Sequence, residues 1–332
     1  MIPKVSIIIV NLDGGKIFDN CIKSLQKLKY KNYEVIVVDN ASKIKPKVPN
    51  SYKLIINKSN LGFVGANNLG LKYAEGKYIL LLNNDTKVSP NLLDVLVKKM
   101  ESDSSIGVIQ PKIYLMDKDK YLDNAGSFFT NLGFLEHWGF MCKDSKDFDK
   151  EREIFSAKGA CMMVRHDLIN KIGLFDKDYF AYFEESDFCW RAWLAGYKVI
   201  YYPKTFIYHK LGFTTKRQDV VKLNYLYYRN RIDSLIKNLE FKNLIWIIPI
   251  HILISFGIAI IFLLRGSYKN FKLIILAIRW NGTHLKKIWK KRQSVNKLRK
   301  ASDREIFKKV RKPVNLLKHF KDFKRIEKDL QA

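Results

Sequence analysis

The chain has 332 residues, of which 47% are hydrophobic and 13% aromatic. These values are those of a folded protein with one large or two moderate domains and a substantial core. The formal net charge of +28 attracts phosphate, whether in a nucleic acid, an anionic lipid or a nucleotide. The four cysteines stand far apart without a CxxC pair, which argues against a disulfide framework or a zinc site and favours free thiols in a reducing compartment.

The first ninety residues alternate short apolar runs with helical segments. Continuous apolar runs, typical of strands buried on both faces of a parallel sheet, occupy residues 5–10, 33–38, 54–56 and 78–82. Helical spacing of apolar residues occupies 17–28, and the glycine-punctuated NLGFVGANNLG (60–70) leads into a second helix. We read the first run as a strand and not as a signal peptide. The alternation predicts a doubly wound α/β domain.

Three polar residues, Asn11, Asp39 and Asp85, stand just after predicted strands. In such sheets ligands bind beyond the carboxyl ends of the strands. Each residue taken singly is more often an ordinary loop or cap former. Three of them at one edge nevertheless outline a ligand site.

The middle of the chain gives weaker signals. Residues 110–155 predict loops with short strands, and 155–164 read as a further strand-like element. Within it Gly159 and Ala160 are small enough to let a substrate approach the backbone. A helical turn is expected at 167–172.

An acidic cluster follows in FAYFEESDFCWR (180–191), where Glu184, Glu185 and Asp187 stand among aromatic residues. An apolar frame raises the free-energy cost of ionising clustered carboxylates, so such groups are paired with cations or tuned for acid–base work. The alternative is an ordinary helix N-terminus, where the helix dipole favours acidic residues.

Several motifs, in order, resemble a family 2 glycosyltransferase of the rhamnosyltransferase-like branch. They are VVDNAS (37–42), NLGFVGANNLG, LLNNDT (81–86), GACMMVR (159–165), the segment 172–199 and YHKLGFTT (208–215). The resemblance covers about residues 4–231. It implies the GT-A fold, an α/β architecture with a mostly parallel sheet, and inverting transfer of a sugar from a nucleotide diphosphate to a hydroxyl, assisted by a divalent cation.

The resemblance also implies roles on the donor side of the site. Asp39 matches the aspartate that hydrogen-bonds the nucleotide base, which suits uracil or thymine better than a purine. Asp85 ends the metal-binding acidic motif, whose first position here is the neutral Asn83, and His209 matches the histidine near the diphosphate or metal. Mg²⁺ or Mn²⁺ is the expected cofactor. The nucleotide-binding residues implied in this way are Asn11, Asp39, Asn40, Asn67 and Asn84.

On the acceptor side, Glu185 matches the general base and is one methylene longer than the family's usual aspartate. Glu184 and Asp187 are expected to orient the loop, the acceptor or a neighbouring arginine such as Arg191. Gly159, Ala160 and Arg191 are assigned to the loops around donor and acceptor. The basic residues Lys210, Lys216 and Arg217 either neutralise the leaving diphosphate or form a solvated loop.

The C-terminal third predicts membrane association. Residues 243–264 carry no formal charge and are long enough to span the hydrocarbon core. A shorter apolar run, 271–280, and a strongly basic tail follow. Because a single crossing would send that tail across the membrane, we expect an in-plane or re-entrant helical pair, interrupted at Pro249 and Gly257, on an anionic membrane surface. Two full passes and a buried hairpin are the alternatives.

These observations predict three regions: a catalytic domain (1–231), apolar membrane-associated helices (232–285) and a basic amphipathic helical tail (286–332). The predicted enzyme acts at the cytoplasmic face of the cell membrane in cell-envelope polysaccharide synthesis. It uses a UDP- or dTDP-sugar, dTDP-rhamnose being one candidate, and a lipid-linked or cell-surface glycan acceptor. The alternatives are a basic nucleic-acid- or membrane-binding protein and a non-catalytic relative that keeps the nucleotide pocket.

Overall fold

The computed structural model describes residues 2–212 and 220–313. The chain divides into two compact units, Met1–Ser127 with His137–Leu211, and Phe128–Glu136 with Gly212–Ala332. The functional regions inferred from the sequence, which end at 231 and 285, stay predictions. The part of the basic tail after residue 313 lies outside the described residues, as do Lys216 and Arg217.

The first unit is built on one large sheet with helices packed against it. Its strands are β1 (Val5–Asn11), β2 (Tyr33–Asp39), β3 (Lys53–Ile56), β4 (Tyr78–Asn83), β5 (Thr86–Val88), β6 (Ile106–Leu115), β7 (Leu122–Asn124), β10 (Arg152–Glu153), β11 (Cys161–Arg165) and β12 (Lys198–His209). Its helices are α1 (Gly15–Leu25), α2 (Gly62–Leu71), α3 (Leu92–Ser102), α4 (His166–Ile172) and α5 (Glu184–Leu194), with a 3₁₀ turn at Lys146–Asp149.

The sheet order is β10-β12-β6-β11-β4-β1-β2-β3, with β5 paired to β12 and β7 to β6. Strands β3, β2, β1 and β4 are parallel, and β11 is antiparallel to both β4 and β6. The apolar runs of β1, β2 and β4 are almost wholly buried, as strands covered on both faces must be. The α/β architecture predicted from the alternation is confirmed.

The register brings the polar strand ends to one edge of the sheet. Asn11, the last residue of β1, lies opposite Asp39, the last residue of β2. On the other side of β1, Val10 lies opposite Asn83 at the end of β4, so Asp85 follows that strand end by two residues. The predicted clustering at the carboxyl edge is therefore present.

The middle of the chain is more regular than its sequence indicated. Residues 106–115 form a ten-residue strand, β6, in the interior of the sheet, although Pro111 falls within it. A proline cannot donate to the strand ladder and is tolerated at irregularities. The pairing of β6 with β12 shifts register directly after Pro111, between Tyr202 and Phe206. By contrast, the strand-like element predicted at 155–164 is shorter than expected. Strand β11 begins at Cys161 and ends at Arg165.

The second unit is helical. It contains α6 (Val220–Asn238), α7 (Phe241–Leu264), α8 (Tyr268–Thr283), α9 (Leu285–Leu298) and α10 (Asp303–Val310). A small sheet joins β13 (Arg311–Lys312), β8 (Ser127–Thr130) and β9 (Leu135–His137) in that order. Helices α7 and α8 pack through Ala259, Leu273 and Ile274. Their in-plane or re-entrant placement at a membrane stays a prediction.

The predicted interruption of the first apolar helix is wrong. Helix α7 runs without a break through Pro249 and Gly257. A proline removes one backbone donor, whereas ending the helix would leave several backbone groups without partners among apolar side chains. Among the described residues α7 is the one helix long and apolar enough to cross a membrane, with mean hydropathy 2.7 and 28% of its most apolar window buried.

Candidate active site

The ends of β1 and β2 are joined by a polar network around Asp39. Its Oδ1 accepts hydrogen bonds from Asn11 Nδ2 at 3.2 Å and from Ser42 Oγ at 2.5 Å. Ser42 Oγ also accepts from the backbone amide of Asp13 at 2.8 Å. The Oδ2 atom of Asp39 accepts one long bond, 3.3 Å, from the Ser42 amide. One carboxylate oxygen thus organises the loop while the other keeps capacity for a ligand.

Asn84 connects this network to the end of β4. Its Nδ2 donates to Asn11 Oδ1 at 2.9 Å, and all three strand ends are buried. Gly14 permits the contact, because a Cβ added there would lie 2.4 Å from Asn11 Oδ1 and 2.8 Å from Asn84 Nδ2. A glycine is therefore required at position 14 for the side chains of Asn11 and Asn84 to form their hydrogen bond.

Two predicted nucleotide-binding residues, Asn40 and Asn67, form hydrogen bonds with neighbouring segments. The amide of Asn40 donates to Asn60 Oδ1 at 2.7 Å and accepts from the Leu61 amide at 2.9 Å. The Nδ2 of Asn67 donates to the Phe63 carbonyl at 2.8 Å within α2. Both side chains are buried and support the loop and the helix beside the site. Their assignment to the nucleotide stays a prediction.

A chain of charged side chains crosses the site from Asp85 to Lys158, and all of them except Lys158 are buried. His209 Nε2 lies 3.2 Å from Asp85 Oδ1, and His209 Nδ1 lies 2.8 Å from Asp123 Oδ2. Lys158 Nζ contacts Asp123 Oδ1 at 2.8 Å. Burial opposes the charge on His209, but the carboxylates of Asp85 and Asp123 outweigh it and raise its pKa to about 9. Burial likewise opposes the charge on Asp123, yet Lys158 and His209 hold its pKa well below the usual range.

Asp85 Oδ1 is buried and accepts no hydrogen bond of normal geometry. Its 3.2 Å contact with His209 Nε2 is an ion pair when the imidazole is protonated. Within residues 2–212 and 220–313, no group of three or more His, Cys, Asp or Glu side chains is arranged to hold a metal ion. A cation here would therefore need ligands beyond Asp85 and His209, such as diphosphate oxygens and water.

The acidic cluster lies at the first turn of α5, as the helix N-terminus alternative expected. Burial and the neighbouring charge of Glu185 raise the pKa of Glu184 well above its usual value. Burial also raises the pKa of Glu185, but backbone amides and Lys158 oppose that rise. When two carboxyl groups share a site, one of them holds the proton. Here the pKa of Glu184 is raised further than that of Glu185, so Glu184 is the member that keeps its proton to the higher pH.

The backbone that leads into α5 is strained. Tyr182 and Phe183 both have φ of 68°, a left-handed conformation that costs free energy for residues other than glycine. Just before them, the carbonyl of Phe180 accepts from the Val64 amide at 3.2 Å. Gly62 makes this approach possible, because a Cβ there would lie 2.3 Å from that carbonyl oxygen. The start of α2 thus fixes the turn that presents Glu184 and Glu185.

The third carboxylate of the cluster is structural. Asp187 is fully buried, and its Oδ2 accepts from Arg191 Nε at 2.9 Å. The guanidinium of Arg191 also donates to the carbonyls of Ile172, Gly173 and Leu174. Of the predicted alternatives for Asp187, the structure shows the one in which it orients Arg191. Arg191 in turn holds the segment before the acidic cluster.

The segment from Lys158 to Ala160 links these groups. Lys158 contacts Asp123, and a Cβ added to Gly159 would lie 3.9 Å from Glu185 Cβ. The carbonyl of Ala160 accepts from the Asn83 amide at 3.0 Å. Three consecutive residues therefore connect the charge chain, the acidic cluster and the end of β4. The backbone amide of Lys210 donates to the Asp85 carbonyl at 2.9 Å, while its half-buried side chain lies 3.6 Å from Asp117 Oδ1.

The sequence did not single out two residues of the site, Ser42 and Asp123. Ser42 stands inside the quoted VVDNAS motif, and its hydroxyl could have been assigned to the loop after β2. Asp123 lies 86 residues from its partner His209, in the stretch read as irregular. No local spacing signals a pairing of that kind.

Comparisons with known proteins agree with this architecture. The sequence profile described as "Glycosyl transferase family 2" matches residues 6–173. The "Low-salt glycan biosynthesis hexosyltransferase Agl10" of Haloferax volcanii is 26% identical over 202 residues, 58% of this chain and 62% of that protein. An "N-acetylglucosaminyl-diphospho-decaprenol L-rhamnosyltransferase" of Mycobacterium tuberculosis is 24% identical over 44% of this chain and 51% of its own length. The chain thus matches less than two thirds of either relative.

Two solved structures share the fold. The S. aureus TarS 1–349 complex with UDP-GlcNAc has a TM-score of 0.57 at 17% identity and covers 82% of this chain and 79% of its own. The mannosyltransferase PcManGT of Pyrobaculum calidifontis, in complex with GDP-Man and Mn²⁺, has a TM-score of 0.51 at 14% identity over 90% and 86% of the two chains. The predicted GT-A fold is confirmed. With a family profile over just more than half of its length, the chain belongs to glycosyltransferase family 2.

Proposed function

We propose that the chain is an inverting, metal-assisted glycosyltransferase that uses Glu185 as its general base. The observation that carries the proposal is the 158–160 segment, which brings Glu185 beside the strand ends and the Asp85–His209 pair. The segment 158–160 thus joins the proposed base, Glu185, to the proposed diphosphate site at Asp85 and His209. This arrangement suits a reaction in which a hydroxyl group attacks the sugar while a diphosphate leaves.

The donor nucleotide is assigned to the loops after β1 and β2. The Oδ2 atom of Asp39 keeps capacity to accept the ring N–H of uracil or thymine, while Asn11, Ser42 and Asn84 hold Asp39 and its loop in place. The donor is therefore a UDP- or dTDP-sugar, and dTDP-rhamnose is one candidate, because the mycobacterial relative is named a rhamnosyltransferase.

A divalent cation fits the residues at the end of β4. Asp85 Oδ1 is a buried oxygen without a hydrogen bond, and His209 Nε2 is beside it, so these two side chains would hold Mg²⁺ or Mn²⁺. Such an ion neutralises charge on a leaving diphosphate. Asp123 keeps His209 oriented through Nδ1, as carboxylates do behind metal-bound histidines.

Glu185 has the electronic properties that a base needs. It is only half-buried, and burial raises its pKa above the ordinary glutamate value, so the carboxylate becomes a better proton acceptor than in water. Glu184 keeps its own proton and does not compete. As the acceptor hydroxyl attacks the anomeric carbon, its proton passes to the Glu185 carboxylate while the sugar–phosphate bond breaks with inversion.

We place the protein at the cytoplasmic face of the membrane through α7 and α8. The outer side chains of α7 are apolar and exposed, among them Ile245, Leu253 and Phe256, and such a surface requires lipid or a partner. An in-plane or re-entrant pair agrees with the basic flanks. The acceptor would then be a lipid-linked or cell-surface glycan.

A donor screen tests this function. We expect UDP- or dTDP-sugars to raise the melting temperature with Mn²⁺ present, because a ligand that binds only the folded state stabilises it. EDTA and Asp85→Asn should each remove most of the shift and of slow donor hydrolysis. Donor binding without turnover on any acceptor would instead favour the non-catalytic relative, and no donor response at all would contradict the assignment.

Gly159→Ala offers a test of how close the substrate approaches. The new methyl group would meet Phe63 at 3.7 Å and Glu185 at 3.9 Å, ordinary contacts, so we expect an unchanged melting temperature. If the acceptor lies against this backbone, KM for the acceptor should rise about tenfold while donor affinity stays constant. An unchanged KM would place the acceptor elsewhere.

A further inference from the structure

The second unit contains a basic cavity at the start of α7. It has a volume of about 370 Å³ and is lined by Glu240, Phe241, Lys242, Arg292, Asn296 and Arg299. Three cations and one carboxylate thus face the same space. All of the lining residues belong to α7, to its N-cap, or to α9 and the residue after it.

Arg292 is the unusual member of this set. It is only 4% exposed, and its Nη1 donates to the Ile236 carbonyl at 2.7 Å. Within the described parts of the chain it forms no ion pair, whereas Arg299 contacts Asp303 Oδ1 at 3.1 Å and Lys242 contacts Glu240 Oε2 at 3.3 Å. Burial and the charge of Arg299 both lower the pKa of Arg292, and the carboxylate of Asp303, which pairs with Arg299, opposes that change. A buried cation without an ion-pair partner of its own is costly, and an anion in the cavity would offset that cost.

The cavity lies beside an apolar surface. Phe241, which lines it, is 62% exposed, and Ile245 one turn later is 59% exposed. Both belong to α7, whose length and composition suit a lipid environment. A basic pocket next to such a helix end has the character of a headgroup site, where phosphate meets guanidinium and the attached chains meet apolar side chains.

We propose that this cavity binds the phosphate group of an anionic phospholipid headgroup. The planar guanidinium of Arg292 presents paired donors that match phosphate oxygens, while Lys242 and Asn296 contribute at the rim. Glu240 reduces the positive field, which favours the single charge of a phosphodiester over the higher charge of free phosphate. The site is separate from sugar transfer and does not depend on that proposed function.

The test uses the full chain in neutral detergent with water-soluble dihexanoyl phosphatidylglycerol. We expect a saturable rise in melting temperature. Dihexanoyl phosphatidylcholine, with the same chains but no net charge, and inorganic phosphate at equal concentration are the comparison ligands. An equal shift with phosphatidylcholine would mean chain-driven binding and would overturn the proposal. An equal shift with inorganic phosphate would assign the cavity to free phosphate instead of lipid.

Three variants separate this cavity from general charge attraction. Lys242→Glu reverses one charge, and Asn296→Trp fills the space without changing charge. Both substitutions leave the hydrogen bond between Arg292 and the Ile236 carbonyl in place. Each of these two variants should bind phosphatidylglycerol at least about fivefold more weakly than the unmodified protein. Lys290→Glu changes an exposed lysine of the same helix that does not line the cavity and should bind as the unmodified protein does.

Equal affinity in all four proteins would overturn the proposal, as would equal weakening in all three variants. Donor-induced stabilisation with Mn²⁺, measured on the same samples, reports separately on the sugar-transfer site and should be unaffected by Asn296→Trp.

Discussion

Glu185→Gln is expected to lower sugar transfer by about 10²- to 10⁴-fold, the range typical of losing a general base. The glutamine keeps the shape of the side chain but cannot accept the hydroxyl proton. Donor affinity should change little, because the nucleotide and diphosphate are assigned to other residues. Glu185→Asp keeps the carboxylate and should retain activity, reduced by its shorter reach. Initial rates with saturating donor, beside donor affinity by calorimetry, measure both effects.

Glu184→Gln is the matched control for that experiment. Because burial and Glu185 raise the pKa of Glu184 well above its usual value, the site favours the protonated form of this residue, which a glutamine resembles. Transfer should therefore fall less than tenfold. If Glu184→Gln were as damaging as Glu185→Gln, or if Glu185→Gln remained active, the assignment of the base to Glu185 would be wrong.

The pH dependence follows from the same pair. Burial raises the pKa of Glu185 above the usual 4.5, and the base acts in its ionised form, so kcat/KM should fall as the pH drops through that raised value. Glu184 makes the folding stability change in the opposite direction, so that it falls as the pH rises. Its folded pKa exceeds its unfolded one, so the protein loses stability as pH rises above about 4.5. Glu184→Gln should accordingly melt at a higher temperature at pH 7 but not at pH 4.

The strand ends were predictable from the sequence because the cause is local. A buried parallel strand must be apolar, so the first polar residue after each run marks the sheet edge. That rule located Asn11, Asp39 and the polar segment from Asn83 to Asp85. It could not distinguish residues that face a ligand from those that hold the loop, as Asn40 does, because a side chain's hydrogen-bond partners depend on the folded path of the loop.

The remaining site features depend on contacts between distant segments. The pairing of Asp123 with His209 arises because β7 and β12, which carry these residues, both pair with β6. Gly159 lies just before β11, which is placed between β4 and β6. Hydrophobic periodicity carries no information about that order. The same limit applies to Pro111. The sequence around it suggested a loop, but Pro111 lies within strand β6, and the pairing of β6 with β12 shifts register directly after it.

The second large expected effect is a pH dependence of folding stability that comes from His209 when no cation is bound. In EDTA, the protonated imidazole pairs with Asp85 and Asp123, and its folded pKa of about 9 exceeds the ordinary 6.5. The stability from this pairing is fully present below pH 6.5 and is lost as pH rises through 9. Its size is at most about 3 to 4 kcal/mol, since one pH unit is worth about 1.4 kcal/mol. Denaturant unfolding at both pH values measures it.

His209→Gln isolates this contribution, because glutamine can hold hydrogen bonds but no charge. The variant should be less stable than the unmodified protein at pH 6.5, and the difference should shrink toward pH 9. Should the variant fail to fold, calorimetry of Mn²⁺ binding to the unmodified protein gives a second readout. A histidine ligand must be neutral, so binding at pH 7.5 should release a proton. A pH-independent stability difference together with metal binding that releases no proton would show that His209 is neutral before the metal arrives.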